Sequence, residues 1–390
     1  MKQVLSMKPN WQYFAFAYVL FAAGFFFLIR PKYHNLFYYV TLLTPYVILI
    51  GRDRIGILWQ SSIFRVSLAY LGMVAISVLW ASPAELHKLP KYLFPFLYLI
   101  AFIALTVELT LQVKKFPEYV FKAILISAAI WISVSIFLFY QDHSWSIRLR
   151  GVGRLENPLA GAIMYGMVAL LCIHITIQKS TFSTLWRSIA AICGVLSLVY
   201  ISLTQCRSPV IGLILAGLIY AVLQHYWKLL LAVLAITILA GAAFYLDILP
   251  LDLVVSRGLS YRPEIWQQAV PAIFENLWFG HGTTFDQTYH LTGKPSFQSH
   301  THSAFIASLL FVGIIGTSLL LILIVQSFRY SCNASNHLTT SLLTYAIIIL
   351  SINGYQLLDN PALAWLYFWL PVSLAAANEI RVKFTPAHPQ

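Results

Sequence analysis

The chain has 390 residues, of which 59% are hydrophobic and only 10% are charged. Its mean hydropathy is +0.77, and apolar runs of about twenty residues, the length of a membrane-spanning helix, recur from end to end. This composition excludes a soluble globular domain, and we expect no nucleic-acid partner. The formal net charge of +12 instead indicates contact with anionic membrane lipids or with an anionic substrate.

Hydropathy predicts an all-α polytopic membrane protein with about 12 transmembrane helices. The predicted spans lie near residues 11–29, 35–50, 62–80, 92–111, 120–140, 158–177, 185–206, 208–224, 228–246, 301–327, 338–357 and 361–378. Residues 1–246 then hold spans one to nine, and residues 247–300 form a long periplasmic loop with an interfacial helix. Residues 301–390 hold spans ten to twelve and a cytoplasmic tail. The first apolar run has no convincing cleavage site, so we expect a retained span rather than a signal peptide.

The distribution of basic residues predicts the orientation. An even number of spans places both termini on one side, and their basic residues indicate the cytoplasm. Several basic residues then fall on the outward face, against the usual preference: Arg148, Arg150, Arg154, Arg207, Arg257, Arg262 and Lys294. A local purpose such as anion binding explains them. The alternative is a chain with weak charge bias, oriented by other segments.

The long loop is the main polar segment of the chain. Apolar residues recur at helical spacing from Tyr261 to Phe274, which predicts an amphipathic helix on the membrane surface, with Ser260 as its cap. Glycines then interrupt regular structure, and the next span begins near His302. This places His302 at the outer mouth of a span, close to the point where Arg207 emerges.

Two arginines are candidates for binding phosphate. Arg207 lies between two apolar runs, and its planar guanidinium suits phosphate oxygens, although an interfacial anchor that reaches toward lipid headgroups is the alternative. Arg262 is either a second phosphate ligand on the loop helix or a surface arginine paired with Glu264 or Glu275.

The histidines of the loop suggest acid–base chemistry more than metal binding. His300 and His302 form an H-x-H pair, but no carboxylate or cysteine joins them at a familiar metal-ligand spacing, so we predict no metal and no cofactor. A single histidine can accept a proton at neutral pH and act as a general base. For His281 and His290 we favour hydrogen-bonded structural roles. Gly313 and Gly316 in the tenth span indicate close helix packing.

Five short motifs together resemble the O-antigen ligase and polymerase superfamily of bacterial membrane glycosyltransferases, and in particular the O-antigen ligases. In order they are RLRGVGRLENPLA, LTQCRSP, YRPEIW, GHG and HTHSAFI followed by GIIG, within roughly residues 145 to 320. Each motif is weak by itself, but their order around a long loop between late spans is specific. One departure is Ser303, because the family usually has Asn after the key histidine.

The resemblance implies a metal-independent glycosyltransferase in the bacterial inner membrane whose active site faces the periplasm. Such an enzyme transfers a glycan from undecaprenyl diphosphate to a sugar hydroxyl of lipid A-core in lipopolysaccharide assembly. Position by position, it implies Arg207 and Arg262 as diphosphate ligands and His302 as the general base of an inverting displacement, with a carboxylate such as Asp359 or Glu264 as the alternative base. We also expect substrate-binding roles for Arg150, Arg154, His300 and Asp359.

Two other functions fit parts of the sequence. An O-antigen polymerase, or another oligosaccharide transferase with the same donor, would share the loop arginines. A transporter of lipid-linked glycans would also recruit an anionic substrate, but it predicts mid-membrane ionisable residues and two related halves. Neither feature is clear in this chain.

Overall fold

The computed structural model describes residues 9–228, 230–231, 234–235, 238, 261–291, 297–298, 300–333, 336–354 and 357–384. Most of the predicted ninth span lies outside these residues, as do Arg257, Ser260 and Lys294. The described part is almost entirely helical, as the hydropathy pattern predicts.

The α-helices of the described part are α1 (Trp11–Phe27), α2 (Pro31–Phe37), α3 (Thr44–Leu49), α4 (Arg52–Trp59), α5 (Ser62–Ile76), α6 (Val78–Ala81), α7 (Leu89–Gln112), α8 (Phe116–Asp142), α9 (Pro158–Ile177), α10 (Thr184–Thr204), α11 (Arg207–Leu223), α12 (Arg262–Glu275), α13 (Ala304–Asn333), α14 (His337–Ile352) and α15 (Leu370–Phe384). Two π-helical segments, Tyr38–Leu43 and Trp365–Trp369, lead directly into α3 and α15, and short 3-10 helices occupy Pro83–Lys88 and Gly153–Leu155. The strands β1 (Tyr289–His290) and β2 (Phe297–Gln298) pair antiparallel.

Six segments of the described chain are long and apolar enough to cross a membrane: Ser62–Ala81, Pro83–Gln112, Phe116–Asp142, Pro158–Ile177, Thr184–Thr204 and Ala304–Asn333. Three shorter apolar helices, Trp11–Phe27, Arg207–Leu223 and His337–Ile352, fall on further predicted spans. The predicted spans near 35–50 and 361–378 correspond to helical runs that each include a π-helical segment. A total of about twelve spans therefore remains a prediction.

The turns between these helices gather into two groups at opposite ends of the helices. Helix α5 begins beside Glu379 of α15 and ends where Ser77 contacts Thr283. Helix α7 runs the other way, from Tyr92, which donates to the Thr283 carbonyl, to Thr110, whose carbonyl accepts from Arg381. We call the end that contains Thr283 the site end, because Arg207, Arg262 and His302 also lie there.

A buried carboxylate holds the opposite end together. Glu379 accepts hydrogen bonds from the backbone nitrogens of Ser62 (2.9 Å) and Ile63 (3.1 Å) and from the Ser61 hydroxyl (2.7 Å). The first N–H groups of a helix lack partners within the helix, and a negative charge is favourable there. Glu379 therefore fixes the end of α15 to the start of α5, and Lys383 lies 2.6 Å from its carboxylate.

Helix α13 is broken near its start, at Gly313, where φ is 62°. The segment 277–282 supplies the hydrogen bonds that the break removes. His281 N donates to the Leu310 carbonyl (2.7 Å), and Ile314 N donates to the Leu277 carbonyl (2.8 Å). The sequence predicts close helix packing at Gly313, but its close neighbours are the backbone atoms of Trp278 and Phe279 in the loop, and no sequence signal indicates the break. The break ties the loop after α12 to the helix that follows His302.

Candidate active site

The turn between α10 and α11 presents Arg207 at the first position of α11. Gln205 closes α10 in the left-handed region, with φ 53°. Arg148 braces the turn, because its Nε donates to the Thr204 carbonyl (2.5 Å) and one Nη donates to Cys206 Sγ (2.8 Å). The sequence groups Arg148 with possible anion ligands. In the structure it stabilises the backbone turn that carries Arg207.

Arg262 and the start of α11 are joined through Asn353, the residue that ends α14. Arg262 donates from one Nη to Asn353 Oδ1 (2.7 Å), and Asn353 Nδ2 donates to Ser208 Oγ (2.6 Å). Burial lowers the pKa of Arg262, although it stays a cation at neutral pH. Sequence reasoning missed Asn353, since an uncharged residue at the end of an apolar span belongs to no motif.

His302 is held at the start of α13 by the loop helix. Trp266 Nε1 of α12 donates to the Thr301 carbonyl (2.8 Å), and His302 itself has φ 53°. A left-handed conformation is uncommon for a residue with a side chain, and such residues cluster at functional sites. Partial burial lowers the pKa of His302 below its usual 6.5, and the nearby Arg262 and His300 lower it further. The ring is therefore mainly neutral at pH 7.

Ser303 carries a structural role that the family's asparagine could equally perform. Its Oγ accepts from the backbone nitrogen of Ile306 (3.5 Å), so it occupies the cap position of α13. Serine and asparagine are both strong N-caps. The departure from the family pattern therefore preserves the cap.

Three helices begin at this place: α11 at Arg207, α12 at Arg262 and α13 at Ala304. The end of α14 holds them together, because Asn353 contacts the first two and a Cβ added at Gly354 would lie 2.8 Å from Ala304 Cβ. In the described structure, neither α11 nor α12 has a side-chain hydrogen bond at its N-cap. Helix N-termini carry partial positive charge, so together with the two arginines they form a site suited to an anion.

Arg154 and Asp359 lie together in a separate set of contacts at the site end. Arg154 contacts His34 Nδ1 (2.7 Å) and the Pro361 carbonyl, and its guanidinium lies 5.1 Å from the Phe25 ring centroid. Burial lowers the pKa of Arg154 to about 10, opposed by the charge of nearby Asp359. Arg154 thereby links the loop before α9 to α1, α2 and the segment before α15.

Arg150 is exposed and borders an open cavity of about 700 Å³. Arg148, Glu156 and Asn157 also line this cavity, so it offers both hydrogen-bond donors and acceptors. It adjoins the turn that carries Arg207 through the contacts of Arg148. His300 is exposed as well and lies near His302.

His281 has the structural role that its sequence context favours. Its Nδ1 lies 3.0 Å from Asn276 Nδ2, and its Nε2 lies 2.7 Å from the Ala272 carbonyl. Since the amide nitrogen is a donor and the carbonyl an acceptor, the network assigns the ring proton to Nε2. Among the described residues, no group of three His, Cys, Asp or Glu side chains is arranged to hold a metal ion.

Comparison with known proteins gives two matches. Residues 192–321 match the family model described as O-antigen ligase, and this segment includes Arg207, Arg262 and His302. A protein of Pseudomonas aeruginosa named O-antigen ligase is 30% identical over 371 residues, covering 91% of this chain and 87% of the relative.

Proposed function

We propose, because this chain belongs to the O-antigen ligase family, that it transfers a glycan from undecaprenyl diphosphate to a sugar hydroxyl of lipid A-core. At the coarser level it is a multi-pass membrane enzyme of the glycosyltransferase type, acting in lipopolysaccharide biosynthesis. The finer proposal rests on one observation. Asn353 contacts both Arg262 and Ser208 at the start of α11, and His302 lies near Arg262.

Arg207 and Arg262 bind the diphosphate in this proposal. Breaking the bond between the anomeric carbon and the diphosphate oxygen leaves negative charge on the departing group, which guanidinium groups stabilise. Arg262 supports this role because its Nε is buried without a hydrogen-bond acceptor among the described residues. A phosphate oxygen is an acceptor that would satisfy such a donor. The arginines and the two helix N-termini supply the charge stabilisation, so the reaction is proposed to be metal-independent and to need no cofactor.

His302 is the proposed general base. The acceptor hydroxyl oxygen attacks the anomeric carbon, its proton passes to the His302 ring, and the bonding electron pair leaves with the diphosphate. A single displacement of this kind inverts the anomeric centre. The lowered pKa of His302 supports the role, because it keeps the ring neutral and able to accept a proton at pH 7.

The cavity beside Arg150 is the proposed binding place for the acceptor saccharide. Its volume is about 700 Å³, within the range of small-molecule sites. Arg150, Glu156 and Asn157 offer the mixed donors and acceptors that sugar hydroxyls require. His300, which lies near His302, is also proposed to contact substrate. Arg154 supports the site by its contacts with His34, Pro361 and Phe25. Asp359 is exposed and is proposed to bind substrate.

The protein is proposed to lie in the bacterial inner membrane with the site end facing the periplasm. Basic residues at this end run against the usual charge preference, and an anionic lipid-linked donor gives a reason for them. Both the donor and the lipid-anchored acceptor would approach the site from within the membrane.

The experiment measures the transfer of glycan from a purified undecaprenyl diphosphate-linked glycan to lipid A-core in detergent, with EDTA present. We expect EDTA to leave the wild-type rate unchanged and His302→Ala to lower kcat by about 100-fold or more. His290→Ala, in the same loop with an exposed side chain, is the matched control. Full activity of His302→Ala would assign the base to another group. Elongation of the lipid-linked glycan with unmodified core would identify a polymerase, and movement of donor across vesicles without transfer would identify a transporter.

A further inference from the structure

We infer that Asn353 is a positioning residue that orients the Arg262 guanidinium without neutralising its charge. The inference rests on the proposed role of Arg262 in binding diphosphate. Asn353 ends α14, where its backbone nitrogen donates to the Ile349 carbonyl (2.7 Å), so its side chain projects from the end of a regular helix. Groups carried on such elements are held more precisely than groups on free loops.

The chemistry of the contacts fixes which way the Asn353 amide points. Arginine has only donors, so the atom that faces Arg262 at 2.7 Å must be the amide oxygen. The amide nitrogen then faces Ser208 Oγ at 2.6 Å and donates to it. Because both halves of the amide are engaged, rotation about its terminal torsion would break two hydrogen bonds at once. The side chain therefore couples the start of α12 to the residue that follows Arg207.

Arg262 has a neutral partner, as Arg148 and Arg154 do, whereas some other basic groups of the described residues are paired with carboxylates. Arg54 lies 3.3 Å from the Glu108 carboxylate, and Lys383 lies 2.6 Å from the Glu379 carboxylate. Within the described residues, Arg262 has no carboxylate within 4.0 Å, and its hydrogen bond goes to a neutral amide.

This difference has a direct consequence for anion binding. A carboxylate at position 353 would form a charge-assisted bond with Arg262 and compete with a phosphate for the same guanidinium. An amide orients the group equally well and leaves its positive charge for the ligand. The anion-binding role proposed for Arg262 thus accounts for an amide rather than a carboxylate at position 353.

The test compares Asn353→Asp with wild type for binding of inorganic pyrophosphate and for KM of the lipid-linked donor. We expect Asn353→Asp to weaken both by about tenfold or more, because the new charge offsets that of Arg262. The melting temperature should be unchanged or higher. Asn336→Asp is the matched control at the other end of α14, where aspartate caps a helix as well as asparagine does, and we expect it to bind pyrophosphate normally.

The pH profile separates positioning from a purely structural role. Among the described residues, the charged or titratable groups that act on His302 are Arg262 and His300. Offsetting the Arg262 charge should raise the pKa of His302, so the acid limb of kcat/KM should move to higher pH in Asn353→Asp but much less in Asn353→Ala. An unmoved limb with unchanged pyrophosphate binding would overturn the inference.

Two further variants keep the outcomes distinct. If Arg262→Gln binds pyrophosphate as wild type does, the proposed role of Arg262 fails and the inference fails with it. If Arg262→Gln weakens binding and Asn353→Asp does not, only the inference fails. Should Asn353→Asp not fold, Ser208→Ala releases the amide nitrogen instead. It should weaken pyrophosphate binding in the same direction, and wild-type binding would count against the inference.

Discussion

At the scale of single residues, the nearness of the Arg262 charge to His302 links acid–base chemistry to anion binding. Burial disfavours protonation of the His302 imidazole, and the positive charge of nearby Arg262 acts in the same direction. The arginine that is proposed to hold the diphosphate therefore also adds to the lowering of the pKa of the proposed base.

We predict that kcat/KM depends on pH through the lowered pKa of His302. The acid limb of wild-type kcat/KM should lie below pH 6.5, the usual pKa of histidine, because the folded environment lowers the pKa of His302. Arg262→Gln removes one lowering influence, so its residual activity should be lost at a higher pH than in wild type. The measurement is the initial transfer rate between about pH 5 and pH 8. Arg30→Gln, at an exposed arginine, should leave the limb in place, and an equal shift there would attribute the effect to net charge.

The sequence predicted some of these residues and missed others, for physical reasons. Arg207, Arg262 and His302 were identifiable because charge is rare in this chain and each lies in a distinctive motif. Asn353 was not identifiable, because its importance comes from two contacts with residues distant in the chain. A substrate-binding role for Arg154 stays a prediction, and the sequence contained no signal for its contacts with His34 and Pro361, which are distant in the chain.

At the scale of elements, hydropathy predicts where helices lie but not where they break. Gly313 lies inside an apolar run that reads as one continuous span, and its neighbours are equally apolar. The break depends on segment 277–282, which supplies hydrogen bonds from outside the helix. Sequence averaging over the span cannot detect a partner that comes from another part of the chain.

We predict that Gly313→Ala destabilises the protein and loosens the loop that carries α12. The residue has φ 62°, and an added Cβ would lie 2.4 Å from the carbonyl carbon of Trp278. The loss should exceed about 1 kcal/mol, seen as a lower melting temperature in detergent. Gly217→Ala is the control, since nothing lies within 4 Å of its added Cβ in α11. Equal melting temperatures for the two variants would show that the backbone at position 313 accommodates an alanine without loss of stability.

At the scale of the whole molecule, the two groups of turns agree with the alternation of spans expected from the sequence. The site end holds Arg148, Arg207 and Arg262, while Arg54 and Lys383 lie at the opposite end with their carboxylate partners. The contacts establish which turns share an end. The side of the membrane that each end faces is a prediction from charge bias.

We predict that this orientation can be read from thiol labelling in spheroplasts. Cys332 is exposed at the opposite end, whereas Cys172, Cys193 and Cys206 are buried. A membrane-impermeant maleimide should therefore leave the wild type unlabelled until the membrane is opened. The variant His143→Cys, at an exposed position of the site end, should be labelled at once. The reverse pattern would place the site end in the cytoplasm.

The break in α13 also bears on how the chain enters the membrane during synthesis. Backbone N–H and C=O groups without hydrogen bonds are costly in lipid, and a continuous helix has none along its length. The free-energy cost of insertion is therefore lowest while α13 is unbroken. The hydrogen bonds of Leu310 and Ile314 to segment 277–282 would replace those within the helix after insertion. That segment is translated before α13, so it is already available when the helix arrives. Glycine at position 313 suits both stages, because it accepts helical and left-handed backbone alike. An unbroken α13 would thus be the form expected during insertion, and the contacts with segment 277–282 would form afterwards.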